Sequence, residues 1–245
     1  MTKQTTKHDG EGMQTPPLRV IGYIRTDFPT KFGIPRQSGL AASLRGEIHF
    51  LPKYRNPDAL RGITEFSHLW LLWLFSEAVR EGDEFIPTVR PPRLGGNTRV
   101  GVFATRSPFR PNPIGLSSVK LEGVEVKENG ETVLVVSGAD LMDGTPILDV
   151  KPYLAFTDAH PDAVGGFADA RLSYHLSVDF PEELLLRIPE ERREALLEIL
   201  AEDPRPAYQR DAERVYGLPF AGWEIGFRVE NDVLHVERVE REERS

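Results

Sequence analysis

Glycine and proline set the strongest limit on what this chain can fold into. The 245 residues include 21 glycines and 20 prolines, and many of them lie between short apolar segments. Glycine weakens helices and strands, and proline ends or kinks a helix. The chain is therefore expected to form short strands joined by turns.

Alternating or apolar patterns predict about seven such strands. They cover residues 18–25, 47–51, 66–75, 99–104, 118–126, 131–137 and 149–156. The segment 66–75 (FSHLWLLWLF) is too apolar to be amphipathic and is rich in aromatic residues, which predicts a central strand buried on both faces. Residues 31–40 contain Gly33, Pro35 and Gly39 and predict an irregular loop. This pattern favours a mainly β fold, a single antiparallel or mixed barrel.

The pattern changes after residue 157. Residues 159–170 are small and glycine-rich, which is typical of a linker. A helix is then predicted from Pro189 to Asp203, and a hairpin over 223–239 turns at Asn231 and Asp232. We therefore divide the chain into a disordered tail (1–17), a barrel domain (18–157), a small α+β domain (158–240) and a second tail (241–245).

Several classes of protein are excluded by missing residues and motifs. The absence of cysteine rules out disulfides, thiolate metal sites and a cysteine nucleophile. No metal site is predicted from the histidines, and no Gly-rich dinucleotide turn, P-loop or nucleophile elbow occurs. The longest apolar run, 69–75, is too short to span a bilayer, and no secretory signal is present. We expect a cytoplasmic protein without a membrane partner.

The net charge of −8 conceals a local basic segment. Residues 85–121 contain no Asp or Glu, and such a patch attracts phosphates even in an acidic protein. Within it, the prolines of segment 105–113 stiffen a loop that carries Arg106 and Arg110, so their guanidinium groups are pre-oriented to bind a carboxylate or phosphate. The alternative is a solvated turn with two surface arginines.

A second candidate site follows the turn at Asp143. Asp149, Lys151 and Tyr153 alternate along a predicted strand and therefore share one face. They are suited to orient a substrate or move a proton, and equally to form an ion pair that closes one end of the barrel. His68 is favoured as a core histidine over a catalytic one.

Five motifs together resemble the TrmO/TsaA-like family. They are PRQ (35–37), EFSHLWLLWLF (65–75), RPPRLGG (90–96), GVFATRSPFRPNPIGLS (101–117) and DLMDGTPILDVKPY (140–153). The resemblance covers about 19–157, and DPRPAY (203–208) is similar to the C-terminal region of longer bacterial members. It implies a single-sheeted β-barrel, usually a homodimer, that uses S-adenosylmethionine to methylate N6 of threonylcarbamoyladenosine at position 37 of tRNA.

The resemblance also implies a set of cofactor-binding residues. Arg106 would pair with the methionyl carboxylate, and Phe75 and Leu116 would enclose the adenine. The full set is Arg36, Gln37, Phe75, Ser76, Arg106, Leu116, Gly138, Ala139, Asp140 and Leu141.

The remaining roles concern the acceptor. Asp143, or Asp149 acting through Lys151 and Tyr153, is the candidate base for the N6 proton. Arg90, Arg93, Arg99 and Arg110 are expected to contact phosphates of the anticodon loop. Two alternatives stay open, a non-enzymatic RNA- or nucleotide-binding barrel and a methyltransferase of the same build with a different acceptor.

Overall fold

The protein consists of an antiparallel barrel, a mixed four-stranded sheet and a short two-stranded sheet. The computed structural model describes residues 17–78, 85–91, 98–171, 174–206 and 211–242. The strands are β1 (Gly22–Arg25), β2 (Arg45–Phe50), β3 (His68–Leu74), β4 (Thr88–Val89), β5 (Val100–Gly101), β6 (Ile114–Val126), β7 (Thr132–Ser137), β8 (Pro146–Pro152), β9 (Ser177–Asp179), β10 (Tyr216–Phe220), β11 (Trp223–Glu230) and β12 (Val233–Arg241). The helices are α1 (Ala155–Asp158), α2 (Glu182–Leu185) and α3 (Glu190–Ala201). The prediction of a mainly β protein is confirmed.

Six strands pair in the order β1-β2-β7-β6-β3-β8, and β8 pairs back to β1, so the sheet closes as a barrel. The turn at 127–130 joins β6 to β7 as predicted, with the Lys127 amide donating to the Glu131 carbonyl at 2.8 Å. Inward-facing side chains such as Ile24, Ile48, Leu69 and Leu71 fill the interior. The core therefore follows from the alternation of side chains along each strand.

Strand β3 differs from its prediction. Leu69, Leu71 and Trp73 are buried, whereas the two side chains between them are half-buried. His68, expected in the core, is exposed at the start of the strand. The prediction that this strand is buried on both faces was wrong, because the strand lies in a barrel wall and only one of its faces meets the core.

Three predicted strands are shorter or displaced. The first, predicted over 18–25, begins at Gly22. Only Val100 and Gly101 of the segment 99–104 pair as a strand, and a 3₁₀ turn follows over Val102–Ala104. The last barrel strand begins at Pro146, earlier than predicted, and α1 occupies the residues predicted to end it.

The mixed sheet has four strands, ordered β10-β11-β12-β9, and α3 packs against it. Asn231 and Asp232 turn the β11–β12 hairpin with φ of 49° and 62°, as their sequence predicts. Arg241, assigned to a tail from sequence, belongs to β12. None of the described helices has the length and apolar character that a membrane span requires. The predicted tails, 1–17 and 241–245, lie largely outside the described residues.

Candidate active site

The loop of residues 26–44, between β1 and β2, brings Gln37 against the proline-stiffened loop of residues 105–113. The Arg106 guanidinium donates a hydrogen bond to Oε1 of Gln37. Arg36 is exposed beside it, and its carbonyl accepts from Nε2 of Gln37 at 2.5 Å. Two segments that are distant in sequence therefore present their cationic and amide groups at one place.

A half-buried carboxylate, Asp140, lies next to this pair. Its Oδ1 accepts from Oγ of Ser117 at 2.5 Å, and Ser117 in turn accepts from Nε1 of Trp73 at 2.9 Å. Burial raises the pKa of Asp140; the hydrogen bond from Ser117 and the nearby positive charge of Arg106 act in the opposite direction. A positive and a negative side chain thus lie close together at the edge of the barrel.

Glycine allows the two segments to approach. Gly138, directly after β7, has φ of 75°, and a Cβ there would lie 3.3 Å from Cα of Gly39. The Gly39 amide donates to the Gly138 carbonyl at 2.8 Å. A larger residue at 138 would be strained in this left-handed conformation and would also separate the loop from the barrel.

The other predicted cofactor residues occupy different environments. The Phe75 ring packs on Trp73 with 4.2 Å between centroids, and Ser76 is exposed at the start of the next turn. Leu116 is 51% exposed and points to the opposite face of β6 from Ser117. Ala139 and Leu141 are buried in the barrel core, so only their backbone groups are available to a ligand.

The candidate acid–base residues lie along β8 and the turn before it. Lys151 Nζ is 2.9 Å from Oδ2 of Asp149, and the Tyr153 ring lies 5.4 Å from that of Trp70. Asp143 is engaged differently, since its Oδ1 accepts from the Thr26 amide at 3.0 Å and its Oδ2 from Arg25 at 3.2 Å. Asp143 therefore fixes the turn against the end of β1, whereas Asp149 and Lys151 form a surface ion pair.

The arginines predicted to bind RNA divide into two kinds. Arg90 and Arg99 are exposed near the ends of β4 and β5. Arg110 is half-buried and donates to the Thr105 carbonyl at 2.9 Å, which holds its own loop in shape. Arg93 lies outside the described residues.

Two family models match the chain. The tRNA-methyltransferase O N-terminal domain matches residues 23–159. The TrmO C-terminal domain matches residues 173–242.

The chain belongs to the TrmO family.

Relatives and solved structures agree with this assignment. A tRNA (adenine(37)-N6)-methyltransferase of Escherichia coli (strain K12) is 45% identical over 215 residues, which cover 85% of this chain and 89% of that protein. A probable S-adenosyl-L-methionine-binding protein of Methanothermobacter thermautotrophicus is 38% identical, over 58% of this chain and 93% of that protein. The crystal structure of TrmO from Pseudomonas aeruginosa matches with a TM-score of 0.73 and 36% identity, covering 92% of this chain and 98% of that one.

Sequence reasoning missed one residue of this candidate site. Ser117 is almost fully buried between Trp73 and Asp140. The sequence did indicate that Ser117 faces the core, because it alternates with the apolar residues Val119 and Leu121 along β6. A hydroxyl at a core position needs a hydrogen-bond partner, and that need points to a polar site behind the strand.

Proposed function

We propose that this protein is an S-adenosylmethionine-dependent tRNA methyltransferase that methylates N6 of threonylcarbamoyladenosine at position 37. The observation that carries the proposal is the meeting of Gln37, Arg106 and Asp140 at one edge of the barrel, in a chain of the TrmO family. The names of the relatives support the tRNA adenine and the cofactor, and the resemblance of the motifs supports the threonylcarbamoyl group.

The charges at the site fit the amino-acid end of S-adenosylmethionine. That end carries one carboxylate and one ammonium group, and the site offers one guanidinium and one carboxylate. Arg106 would bind the carboxylate, Asp140 the ammonium group, and the backbone of 138–141 the remaining polar atoms. Phe75, Ser76 and Leu116 are proposed for the adenosine, with Arg36 beside the loop.

S-adenosylmethionine supplies a methyl group bound to a sulfonium, and the acceptor nitrogen loses a proton as it takes up that methyl group. The protein's main task is to align the reacting groups. We propose Asp149 as the proton acceptor, with Lys151 and Tyr153 orienting it. Its contacts are local, to the Val150 amide and to Lys151, and its side chain is 46% exposed. Asp143, in contrast, ties the turn to Arg25 and Thr26 at the end of β1. Asp149 also shares an outward row with Leu72 and Leu116 across three neighbouring strands.

The RNA would approach over the basic segment. We propose that Arg90 and Arg99, with Arg93, contact phosphates of the anticodon loop, and that Arg110 shapes the loop beside them. A tRNA substrate supports a cytoplasmic location, and the family resemblance supports a homodimer with a barrel domain (18–157) and a C-terminal domain (158–240).

The experiment is methyl transfer from labelled S-adenosylmethionine into tRNA that carries threonylcarbamoyladenosine, compared with the same tRNA lacking that modification. We expect label in the modified tRNA alone. Label in both tRNAs would mean that the enzyme also methylates unmodified adenosine. An absence of label from both, with cofactor bound, would support a different acceptor, and an absence of cofactor binding would support a simple RNA-binding barrel.

A further inference from the structure

The C-terminal sheet and α3 share their hydrophobic core with the loop that carries the candidate cofactor residues. Phe28, Ala41 and Leu44 of the 26–44 loop are fully buried in the same cluster as residues of α3, β10, β11 and β12. The Phe28 ring meets the Phe220 ring edge-on, with 5.6 Å between centroids. This loop therefore packs as part of the C-terminal core, although it connects two barrel strands.

Polar contacts fix both ends of the loop to the same partner. Near its start, Asp27 forms an ion pair with Arg192, with 2.8 Å between Oδ2 and Nη1; the two groups are not aligned for a hydrogen bond. The backbone carbonyl of Asp27 also accepts a hydrogen bond from the Ala221 amide at 2.9 Å. Near its end, the carboxylate of Glu198 accepts from the amide of Ser43 at 2.9 Å and from its Oγ at 3.2 Å. Helix α3 thus supplies both side chains that hold the loop.

The middle of the loop is fitted closely to β10. Gly33 has φ of 82°, and a Cβ at this position would lie 2.1 Å from Cδ1 of Leu218. Leu218 is completely buried in the C-terminal core, so a side chain at position 33 would have to displace a core residue. This contact fixes the backbone three residues before Arg36.

The opposite side of the loop contacts the candidate site. Gln37 accepts from Arg106, and Gly39 donates to Gly138. At the end of the loop, the Leu44 carbonyl accepts from the Gly138 amide at 2.8 Å. The loop is therefore held between the C-terminal unit on one side and the charged site on the other.

A connection of this length has no regular structure of its own to keep it ordered, and ordering it at the moment of binding would weaken affinity. We propose that the C-terminal unit pre-orders the 26–44 loop for cofactor binding, and that Glu198 is the positioning residue that does so through Ser43. The inference rests on the proposed function for the identity of the cofactor. Its structural part, the ordering of the loop by α3, is independent of that identity.

The test compares Glu198→Ala with Glu194→Ala in the full-length protein. Glu194 lies one turn earlier on α3 and is exposed, so it controls for removal of a helical carboxylate. Hydrogen exchange of the 31–44 amides and binding of S-adenosylhomocysteine are measured for both variants. In Glu198→Ala we expect exchange in the loop to be about tenfold faster and binding about tenfold weaker, equivalent to about 1.4 kcal/mol. Exchange in β3 should not change.

Two further measurements separate positioning from general loss of stability. Glu198→Gln keeps an oxygen that accepts from Ser43 and should restore exchange and binding to near the wild-type values. In Glu198→Ala, KM for S-adenosylmethionine should rise while kcat stays within about twofold. If Glu198→Ala does not fold, Ser43→Ala, which removes only the Oγ donor, should shift loop exchange and binding in the same direction by a smaller amount.

The outcomes distinguish this inference from the proposed function. If Glu198→Ala and Glu194→Ala show the same loop exchange rates and the same affinity for S-adenosylhomocysteine, the positioning role of Glu198 is overturned. Wild-type protein that does not bind S-adenosylhomocysteine would overturn the cofactor assignment instead, and the exchange data alone would then decide whether α3 orders the loop.

Discussion

Arg106 is the residue on which the proposed cofactor affinity depends most. Its guanidinium donates to the side-chain amide of Gln37, and its positive charge acts on the half-buried carboxylate of Asp140. A hydrogen bond to a charged group contributes about 2 kcal/mol, so Arg106→Ala should weaken binding of S-adenosylhomocysteine by about 30-fold. Isothermal titration calorimetry measures this, with the exposed Arg61→Ala as control. Equal affinity of the two variants would contradict the assignment.

Asp140 should make stability depend on pH. Because burial raises its pKa, the folded protein keeps a proton that the unfolded chain loses once the pH exceeds the ordinary value of 3.8. The free energy of unfolding therefore falls as the pH rises from 3.8 through the raised pKa of Asp140. Above that raised pKa the loss of stability is complete and stays constant. Asp140→Asn removes the free-energy cost of an ionised carboxylate at this site. The amide oxygen of the introduced side chain can still accept a hydrogen bond from Ser117.

The expected result for Asp140→Asn is a higher melting temperature than wild type at pH 7, with a difference that shrinks as the pH falls towards 3.8. The same variant should lose methyl-transfer activity, because the amide lacks the negative charge proposed to bind the ammonium group. Thermal denaturation between about pH 4 and pH 8 provides the comparison. Other carboxylates, such as Asp27, titrate equally in both proteins. A difference in melting temperature that grows towards low pH would contradict a raised pKa for Asp140.

At the scale of elements, β6 packs so closely on β3 that one position must be glycine. A Cβ at Gly115 would lie 2.2 Å from Cε2 of Trp73, and Trp73 is 9% exposed. Overpacking of this kind costs about 1–3 kcal/mol. Gly115→Ala should therefore lower the free energy of unfolding by that amount and shift the tryptophan fluorescence.

Gly123 provides the matched control for this prediction. It lies on the same strand, and a Cβ at this position would have no neighbouring atom within 4 Å. Gly123→Ala should change stability by less than about 0.5 kcal/mol, as is usual for surface substitutions. Urea denaturation of both variants measures the difference, and equal losses would mean that the ring of Trp73 is not the cause.

The elements also show what pattern analysis can and cannot decide. Hairpins with a clear turn, such as 127–130 and Asn231–Asp232, were predicted correctly because the turn residues act locally. For β3, an apolar run was taken to mean burial on two faces. Its outward side chains are half-buried or exposed, and only the closure of the sheet determines which side of a strand meets the core.

For the whole molecule, the separation between basic and acidic segments predicts different responses to salt. Binding of tRNA should weaken steeply as salt rises, by a logarithmic slope of about 0.7 for each phosphate contact with a single strand. Binding of S-adenosylhomocysteine should change little, since its charges are met within the partly buried site.

Arg90→Ala and Arg99→Ala should each reduce the slope for tRNA by about 0.7 without altering cofactor affinity. Filter binding at several salt concentrations provides the measurement, and Arg61→Ala serves again as the exposed control. If the salt dependence of tRNA binding is unchanged in both variants, the RNA-binding surface does not include the ends of β4 and β5.

The sequence alone determined the β class, the main turns and the family, because these depend on local backbone preferences and on the order of long motifs. It also identified Gln37, Arg106 and Asp140 through that resemblance. Only the tertiary structure placed these three residues together and revealed Ser117 behind them. It also decided that the apolar side chains Phe28, Ala41 and Leu44 of the 26–44 loop pack in the C-terminal core. Burial and contact across large separations in sequence depend on how the sheets close and pack, and no local pattern records that geometry.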